Sequence, residues 1–322
     1  MTVLVTGVAG FIGFHTAKAL LARGDAVVGI DNLNEYYDPQ LKRDRLAQLD
    51  GDFTFLHCDF SDFVALTAVL AGHSFDRIVH LGAQAGVGYS LKDPHSYVRS
   101  NLAGHLNMLE IARQTNGLRH MVYASSSSVY GANTKLPFSV DDRADHPVSL
   151  YAATKRADEM MSESYAHLFA IPLTGLRFFT VYGPWGRPDM ALWRFTERIL
   201  KGTPIPLYNG GRMRRDFTYI DDIVGGILLA LDRPHGAAHL SAHRVFNLGN
   251  SRSEDLGHLV ELIEAATGKT AIRELLPMQP GDVHETFADI AATTAALGFA
   301  PTTSIEAGIP KFVDWYRGYT GL

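Results

Sequence analysis

Short apolar runs separated by longer amphipathic stretches fill the first 175 residues of the chain. The first run, Thr2–Thr6, is followed by glycines and then by an apolar helical pattern that ends at Gly24. Apolar runs of this length predict buried strands, and the stretches between them predict helices. Strands that alternate with helices indicate an α/β fold with a doubly wound parallel sheet. The further predicted strands are Ala26–Ile30, Phe53–Phe60, Arg77–Leu81, His120–Ser125 and Leu173–Phe178, and the longest predicted helices are Tyr97–Thr115 and Tyr151–Phe169.

The pattern changes beyond Gly183, where prolines and glycines break the chain into loops and short elements. We expect a smaller C-terminal lobe there, with the chain returning to the sheet around Phe217–Leu231 and Val245–Asn247. The predicted division is a sheet domain at 1–176 plus about 217–247, and a lobe at about 177–216 plus 248–322.

A glycine-rich loop joins the first predicted strand to the first predicted helix. Its sequence, Gly7-Val-Ala-Gly10-Phe11-Ile12-Gly13, has the spacing G-x-x-G-x-x-G. Glycines at these positions allow a tight turn and let the backbone approach a pyrophosphate, which then sits at a helix N-terminus. The loop therefore predicts a Rossmann-type sheet with a dinucleotide site, and an ordinary strand–helix turn is the alternative interpretation.

A carboxylate, Asp31, follows the second predicted strand. A carboxylate at that strand end accepts hydrogen bonds from the ribose hydroxyls of NAD and would repel the extra phosphate of NADP. Asn32 and Leu33 bring no adjacent cation, so the sequence predicts NAD. The third predicted strand ends near Asp59, which is expected either to meet the adenine or, like Asp62, to cap a helix.

Tyr151 and Lys155 stand four residues apart, on one face of a predicted helix. A free phenol has a pKa of about 10, and a nearby ammonium group favours the phenolate and lowers that pKa. Ser126 belongs to a serine run at the end of a predicted strand and offers a hydroxyl to a polarised oxygen. A Tyr-x-x-x-Lys pair occurs often by chance. Together with the dinucleotide loop, it predicts removal of a proton and a hydride from one alcohol carbon.

The composition narrows the class of protein. The chain has 322 residues, 46% of them hydrophobic, and a formal net charge of −5 with both signs interspersed, so we expect no nucleic-acid partner. Cys58 is the single cysteine and is expected to be an inert core thiol. No apolar run approaches membrane-spanning length and no signal-peptide pattern opens the chain, so we expect a cytoplasmic protein without membrane contact.

Three histidines, His235, His239 and His243, have the spacing of one helix face, as a metal site on a helix would require. Pro234 and Gly236 argue against a helix, and no carboxylate or thiol completes a set of ligands. We therefore predict a solvated surface loop and no metal.

Three motifs carry a family resemblance that covers essentially the whole chain. They resemble the extended short-chain dehydrogenase/reductases that act on nucleotide sugars. The motifs are Thr6-Gly7-Val-Ala-Gly10-Phe-Ile-Gly13, Ser125-Ser126-Ser127-Ser128-Val-Tyr130-Gly131 and Tyr151-Ala-Ala-Thr-Lys155. Within the family, four further segments are most similar to UDP-glucuronate 4-epimerases. These segments are Asp31-Asn-Leu-Asn-Glu-Tyr-Tyr-Asp38, Gln84-Ala-Gly86, residues 176–190 and Arg214-Arg-Asp-Phe-Thr-Tyr219.

The resemblance implies an NAD-dependent isomerase that binds NAD tightly in the sheet domain and a UDP-sugar in the smaller lobe. It assigns the family's catalytic hydroxyl to Ser126, its base to Tyr151 and the helper of that base to Lys155. Arg215 matches an arginine that contacts the UDP diphosphate, and Asp282 an acid near the ribose of the nucleotide. A homodimer through the two long predicted helices is also implied. The implied cofactor contacts are Gly7, Gly10, Phe11, Ile12, Gly13, Asp31, Asn32, Asp59, Phe60, Gln84, Asn101, Tyr151 and Lys155.

The chain departs from the family pattern at two positions. Gln279 stands where many relatives have a second phosphate-binding arginine, so we expect diphosphate binding to depend more heavily on Arg215. Gly88 stands where many glucuronate epimerases have an arginine, which weakens the resemblance to that group.

The pair Ser127-Ser128 distinguishes among the reactions of the family. Dehydratases and decarboxylases carry acidic residues in this strand, whereas this chain has no titratable group there, so elimination lacks a proton carrier. The sequence therefore predicts a 4-epimerase that works through a transient 4-keto sugar. We expect Ser127, Ser128, Thr180 and Arg187 to clamp the C6 carboxylate of a glucuronate. A domain-hinge ion pair is the alternative role of Arg187.

Two other functions stay open. One is a UDP-hexose or UDP-N-acetylhexosamine 4-epimerase, whose substrate is neutral at C6. The other is a non-catalytic relative that senses NAD or a sugar nucleotide, which the intact set of Ser126, Tyr151 and Lys155 argues against.

Overall fold

The computed structural model describes residues 1–235, 242–278 and 283–322. The strands are β1 Thr2–Thr6, β2 Ala26–Asp31, β3 Phe53–His57, β4 Arg77–His80, β5 His120–Ser126, β6 Leu173–Phe178, β7 Thr180–Tyr182, β8 Ile205–Tyr208, β9 Arg214–Arg215, β10 Phe217–Tyr219, β11 His243–Leu248, β12 Glu254–Asp255, β13 Arg273–Leu276 and β14 Glu285–Thr286. The helices are α1 Phe11–Ala22, α2 Pro39–Leu46, α3 Phe63–Leu70, α4 Pro94–Tyr97, α5 Gly104–Gln114, α6 Leu150–Phe169, α7 Ala191–Lys201, α8 Ile220–Leu231, α9 Leu256–Thr267, α10 Ala291–Leu297 and α11 Ile305–Thr320.

The central sheet has seven strands in the order β11-β6-β5-β4-β1-β2-β3, and every neighbouring pair is parallel. The chain builds β1 to β3 in one direction and then returns to place β4 to β6 on the other side of β1. This confirms the predicted Rossmann-type doubly wound fold. Loops diverge where the strand order reverses, between β1 and β4, and a crevice opens there at the carboxyl ends of the strands.

The predicted strands match the sheet with small changes at their ends. β1 and β6 have the predicted bounds, and β5 extends through Ser126. β3 ends at His57 instead of Phe60, because the chain turns where the carboxylate of Asp59 accepts a hydrogen bond from the backbone N–H of Ser61 at 2.9 Å. Asp59 therefore lies beyond the sheet.

The helix predicted at Tyr97–Thr115 is longer and less regular than expected. It begins at Pro94, where Asp93 caps the first turn, and continues through a π-helical turn at Val98–Ala103 into α5. Wide turns of this kind reorient side chains and are frequent at functional sites. The other long helix, α6, matches its prediction within one residue and is capped by the Ser149 side chain.

The chain leaves the central sheet after β6 and returns to it in a way that corrects the prediction. The first predicted returning segment, Phe217–Leu231, begins with β10, which pairs with β7 in a separate two-stranded sheet, and continues as α8, which packs on β5 and β6. α8 also packs against α1. The second predicted segment, Val245–Asn247, is confirmed, because it lies in β11, which joins the central sheet next to β6. The domain boundaries given above stay a prediction.

A buried arginine of α2 connects the glycine loop to the segment that follows β7. Arg45 is fully buried. Its guanidinium donates hydrogen bonds to the carbonyls of Ala9 at 2.9 Å, Trp185 at 2.7 Å and Gly186 at 3.0 Å, and to the Tyr37 hydroxyl at 2.7 Å. One side chain therefore holds together backbone segments that are far apart in sequence.

The histidine prediction is wrong for His243, which lies in β11 with a side chain that is only 5% exposed. It contacts the Tyr123 hydroxyl at 2.8 Å and Glu163 at 2.8 Å. His239 lies outside the described residues. The described ranges contain no cluster of three or more His, Cys, Asp or Glu side chains suited to a metal ion. Cys58 is buried as predicted, and burial raises its pKa.

Within the described residues, no helix combines the length and apolar character needed to cross a bilayer.

Candidate active site

The glycine loop is packed as tightly as its sequence predicted. Gly7 has φ +69°, and a Cβ there would lie 2.8 Å from backbone atoms of Gly82. A Cβ on Gly13 would lie 2.0 Å from the carbonyl oxygen of Gly7. Side chains are therefore excluded at both positions, and backbone N–H groups at the start of α1 face the crevice where an anion is stabilised.

An open cleft lies beside this loop. Gln84 is one of its lining residues, and the side-chain nitrogen Nε2 of Gln84 is buried with no hydrogen-bond partner among the described residues. A buried donor left unpaired in this way fits a polar ligand in the cleft. The cofactor residues predicted from the sequence that line the cleft are Gly7, Gly10, Phe11, Ile12, Gly13, Asp31, Asn32, Phe60, Gln84, Tyr151 and Lys155.

Asp31 is held by the backbone at the end of β2. Its carboxylate accepts hydrogen bonds from the N–H groups of Ala9 at 3.1 Å and Leu33 at 2.8 Å. Burial raises the pKa of Asp31, and the positive charge of Lys42 opposes that rise. Lys42, from α2, also lines the cleft and donates to the Asn34 carbonyl at 2.7 Å. This cation was not predicted from the sequence, because only the folding of the 32–38 loop brings it near Asp31.

Two predicted cofactor residues support the cleft and do not line it. Asp59 accepts a hydrogen bond from the Asn32 side chain at 3.2 Å, and the helix cap falls to Asp62 instead. Asn101 lies in the π-helical turn and is 1% exposed. Its side chain exchanges hydrogen bonds with the backbone N–H and carbonyl of Gln84 at 2.8 and 3.0 Å. Both residues fix the positions of groups that line the cleft.

The three predicted catalytic residues lie together at the edge of the cleft. Ser126, at the end of β5, and Tyr151, in the first turn of α6, line both this cleft and a second cavity beside it. Lys155 lies one turn further along α6 and is 3% exposed. Its ammonium group donates to the Ala124 carbonyl at 3.0 Å and to a carboxylate oxygen of Asp158 at 3.1 Å.

The second cavity contains most of the predicted substrate residues. One of them, Ser128, has a buried hydroxyl with no hydrogen-bond partner in the part of the chain that the structure describes. The predicted residues that line this cavity are Ser127, Ser128, Thr180, Arg187 and Arg215, and Asp282 lies outside the described residues.

Arg187 forms an ion pair inside its own loop. Its Nε and Nη2 atoms donate to the two carboxylate oxygens of Asp189 at 3.0 and 2.6 Å. Tyr36, from the loop after β2, donates its hydroxyl to the same carboxylate at 3.1 Å. Burial opposes the charge of Arg187, but the Asp189 carboxylate raises its pKa above the ordinary arginine value. The sequence predicts neither Asp189 nor Tyr36 as a partner, although an ion pair is the alternative role of Arg187 given above.

Arg215 lines the second cavity, and Gly88 follows Val87, one of its lining residues. Arg215 lies in β9, between β12 and β14, and one of its terminal nitrogens donates to the His284 carbonyl at 3.2 Å. Gly88 lies in a 3₁₀ turn, and no atom lies within 4 Å of the position that a Cβ would take. Gln279, the other departure from the family pattern, lies outside the described residues.

A buried ion pair between β6 and α6 supports β5, the strand that ends in Ser126. The Arg177 guanidinium of β6 binds both carboxylate oxygens of Glu159 on α6, at 2.7 and 2.8 Å. Glu159 also accepts hydrogen bonds from Ser125 of β5 at 2.6 Å and from Arg156 at 2.9 Å. This network joins β5, β6 and α6, the elements that carry Ser126, Tyr151 and Lys155.

The chain is similar to other proteins over nearly its whole length. It is 51% identical over 332 residues to the uncharacterized 37.6 kDa protein in the cld 5'region of Escherichia coli O111:H-, and the match covers 99% of both chains. It is 49% identical over 334 residues to UDP-glucuronate 4-epimerase 4 of Arabidopsis thaliana, covering 99% of this chain and 76% of the relative.

The structure and the family assignment agree with these relatives. The UDP-glucuronic acid 4-epimerase of Bacillus cereus, solved in complex with UDP-glucuronic acid and NAD, has a TM-score of 0.91 at 33% identity. That match covers 99% of this chain and 100% of the other. Residues 3–249 match the NAD dependent epimerase/dehydratase family. The resemblance predicted from the motifs is therefore confirmed, and the chain belongs to the NAD dependent epimerase/dehydratase family.

Proposed function

We propose that this protein is a UDP-glucuronate 4-epimerase. It interconverts UDP-glucuronate and UDP-galacturonate through a transient 4-keto sugar, with tightly bound NAD as its cofactor. The names of the Arabidopsis thaliana relative and the Bacillus cereus structure support this substrate. The main support for the proposal is the lining of the second cavity, in which serine and threonine hydroxyls and two guanidinium groups line the same space as Tyr151.

The cleft fits the cofactor. The glycine loop would hold the pyrophosphate, Asp31 the adenosine ribose and the unpaired Gln84 amide a polar group of the dinucleotide. Bound NAD supplies a reversible hydride acceptor. Tight binding is expected because one turnover leaves the cofactor unchanged, so it has no need to exchange.

Tyr151 is the general base of the proposed reaction. As a phenolate it accepts the proton of the C4 hydroxyl while C4 is oxidised to the ketone, and it returns this proton after the ketone has turned over. The positive charge of Lys155 favours the phenolate. Ser126 donates a hydrogen bond to the sugar oxygen on which charge develops.

The lining of the second cavity favours epimerisation over elimination. In the described part of that cavity, the titratable side chains are Tyr151, Arg187 and Arg215, and no carboxylate or imidazole lines it. A dehydratase needs a further acid and base beside C5 and C6. The two arginines suit the diphosphate and the C6 carboxylate of the substrate, because a guanidinium binds such groups through paired hydrogen bonds.

The ion pair between Arg187 and Asp189 favours a second candidate function. A guanidinium that is already neutralised attracts a substrate carboxylate less strongly. The enzyme would then act on a UDP-hexose or UDP-N-acetylhexosamine, whose C6 group is neutral.

A direct assay distinguishes these functions. Purified protein is incubated without added cofactor with UDP-glucuronate, UDP-galactose or UDP-N-acetylglucosamine, and the products are separated by chromatography. We expect conversion of UDP-glucuronate to UDP-galacturonate, and NAD as the nucleotide released on denaturation. Turnover of the neutral sugars alone would establish the second candidate. A requirement for added NAD, or release of NADP, would contradict the tight and selective binding.

Replacing Arg187 by methionine tests the carboxylate clamp. The variant should lose affinity for UDP-glucuronate by about 1–3 kcal/mol, roughly 5- to 150-fold, because the C6 carboxylate of the buried substrate loses its charged partner. Affinity for UDP should change little. A C6 carboxylate that is held less firmly can also rotate, which lets the C5–C6 bond align with the C4 ketone. A small amount of decarboxylated pentose nucleotide should therefore appear. Binding is measured by calorimetry and the products by chromatography.

The matched control is Arg194→Met, which removes an exposed arginine of α7. It should bind both ligands as the unaltered protein does. Normal binding and epimerisation of UDP-glucuronate by Arg187→Met would remove Arg187 from the clamp and strengthen the neutral-sugar candidate.

We also propose a cytoplasmic homodimer that packs α5 and α6 of one protomer against the same helices of its partner. Large apolar side chains exposed on these helices support this interface: Leu106 is 40%, Met160 is 62% and Leu168 is 64% exposed. Sedimentation at the mass of one 35.3 kDa chain would contradict the dimer.

A further inference from the structure

A buried carboxylate lies beside the ammonium group of Lys155. Asp158 follows Lys155 by three residues on α6 and is 0% exposed. Its Oδ2 atom accepts one N–H of Lys155 at 3.1 Å, and the Ala124 carbonyl accepts another at 3.0 Å. These two hydrogen bonds hold the ammonium group between β5 and its own helix.

The other oxygen of this carboxylate is left unpaired. Asp158 Oδ1 is buried with no hydrogen-bond partner in the residues that the structure describes. An ionised carboxylate in this place is only half satisfied, which is unfavourable in a dry interior. Burial accordingly raises the pKa of Asp158 to about 7, although Lys155 opposes the rise. Burial and the unpaired oxygen therefore favour the neutral form of Asp158, and the ammonium group of Lys155 favours the charged form.

The titratable groups around Asp158 each keep one protonation state near neutral pH. Burial lowers the pKa of His105 on α5 well below its ordinary value, and that of His80 on β4 to about 3, so both imidazoles are neutral. Burial raises the pKa of Tyr123 on β5, which stays a phenol. Glu159, the neighbour of Asp158 on α6, stays ionised. Burial would raise its pKa, but the hydrogen bonds from Arg177 hold it below the ordinary value.

We propose that Asp158 is a positioning residue that holds Lys155 and, through its own charge, sets the pH range in which Tyr151 acts as the base. A charged Asp158 cancels part of the field of Lys155 at the Tyr151 phenol, so the phenolate forms less readily. A neutral Asp158 leaves that field intact. The inference rests on the proposed function only in requiring that Tyr151 be the base for some sugar nucleotide.

The variant Asp158→Asn tests this role, because it keeps the shape of the side chain and an oxygen for Lys155 but removes the charge. The measurement is the pH dependence of kcat/KM, whose ascending limb reports ionisation of the base. Asp158 and Tyr151 are seven residues apart, about 10 Å along the helix. At this distance, loss of one negative charge should move the ascending limb to lower pH by about 0.5–1 unit.

The control is Glu163→Gln, which removes a carboxylate of the same helix that is 56% exposed. The ascending limb of its kcat/KM profile should lie at the same pH as that of the unaltered protein. If Asp158→Asn does not accumulate as folded protein, Asp158→Ser, which leaves room for a water, should give the same shift. The midpoint of thermal unfolding is recorded for each variant.

The inference is overturned if the ascending limb of Asp158→Asn stays in place or moves to higher pH. A fall in kcat with no movement of the limb assigns Asp158 a purely structural role and overturns it equally. The experiment uses whichever UDP-sugar the unaltered protein converts. Failure of the inference is therefore distinguishable from failure of the proposed substrate.

Discussion

Tyr151→Phe is expected to lower kcat for UDP-glucuronate by about 100- to 10,000-fold, the usual contribution of a positioned general base. The substitution removes one hydroxyl from the junction of the two cavities and leaves the ring in place. The fold and the content of bound NAD should therefore be unchanged. Chromatography of the sugar nucleotides measures the rate. Circular dichroism measures the fold, and assay of the released cofactor measures the content of bound NAD.

The neighbouring Tyr97 provides a matched control. Its ring centre lies 6.0 Å from that of Tyr151, but its hydroxyl donates to the Ala85 carbonyl at 2.9 Å. Tyr97→Phe should keep kcat within about tenfold, since it loses a structural hydrogen bond of modest strength. Equal activity of Tyr151→Phe and the unaltered protein would show that another group accepts the proton.

Arg177→Met should lower the free energy of unfolding by about 3–5 kcal/mol, because it leaves the charge of Glu159 buried without its main partner. Both side chains are at most 4% exposed. The pKa of Glu159 is depressed in the folded protein. The stabilisation from this pair is therefore present above the ordinary glutamate pKa and is lost as the pH falls through the folded value. Equilibrium unfolding in urea at pH 7 measures the loss.

The control for this prediction is Arg156→Met. Arg156 binds the same Glu159 carboxylate, but its side chain is 32% exposed, so its loss should cost about 1 kcal/mol or less. The double variant Arg177→Met/Glu159→Met should recover part of the lost stability, because it removes the unpaired charge. If the double variant is less stable than Arg177→Met alone, the hydrogen bonds that Glu159 accepts from Ser125 and Arg156 outweigh the cost of its unpaired charge.

The sequence predicted those features that follow from short-range patterns. The alternation of apolar runs and helices was sufficient for the parallel sheet, and the spacing of Tyr151 and Lys155 placed both on one helix. Ser126 could be added because it ends a strand that runs to the same edge of the sheet. These are local relations, and the chain order was enough to combine them.

Long-range pairings were not predictable in this way. Tyr36 and Asp189 are 153 residues apart, and the hydrogen bond between them exists only after two distant loops meet. The spacing between Lys155 and Asp158 is visible in the sequence, but the burial that gives Asp158 its significance is not. His243 was misplaced for a related reason: β11 gains its position by pairing with β6, and flanking proline and glycine do not reveal such a partner.

The hydrogen bonds of Arg45 constrain how a sugar ring can reverse its face in this enzyme. Opening the cleft by separating the glycine loop from residues 185–186 would strip a buried cation of its carbonyl acceptors, which is a costly change. We therefore expect the glycine loop and the start of the segment that carries Arg187 to stay together throughout a catalytic cycle. The ketone must then swing about its bonds to the diphosphate within a passage of fixed width. The clearance around the hexose ring, more than any movement of the protein, would decide how often the intermediate presents its opposite face.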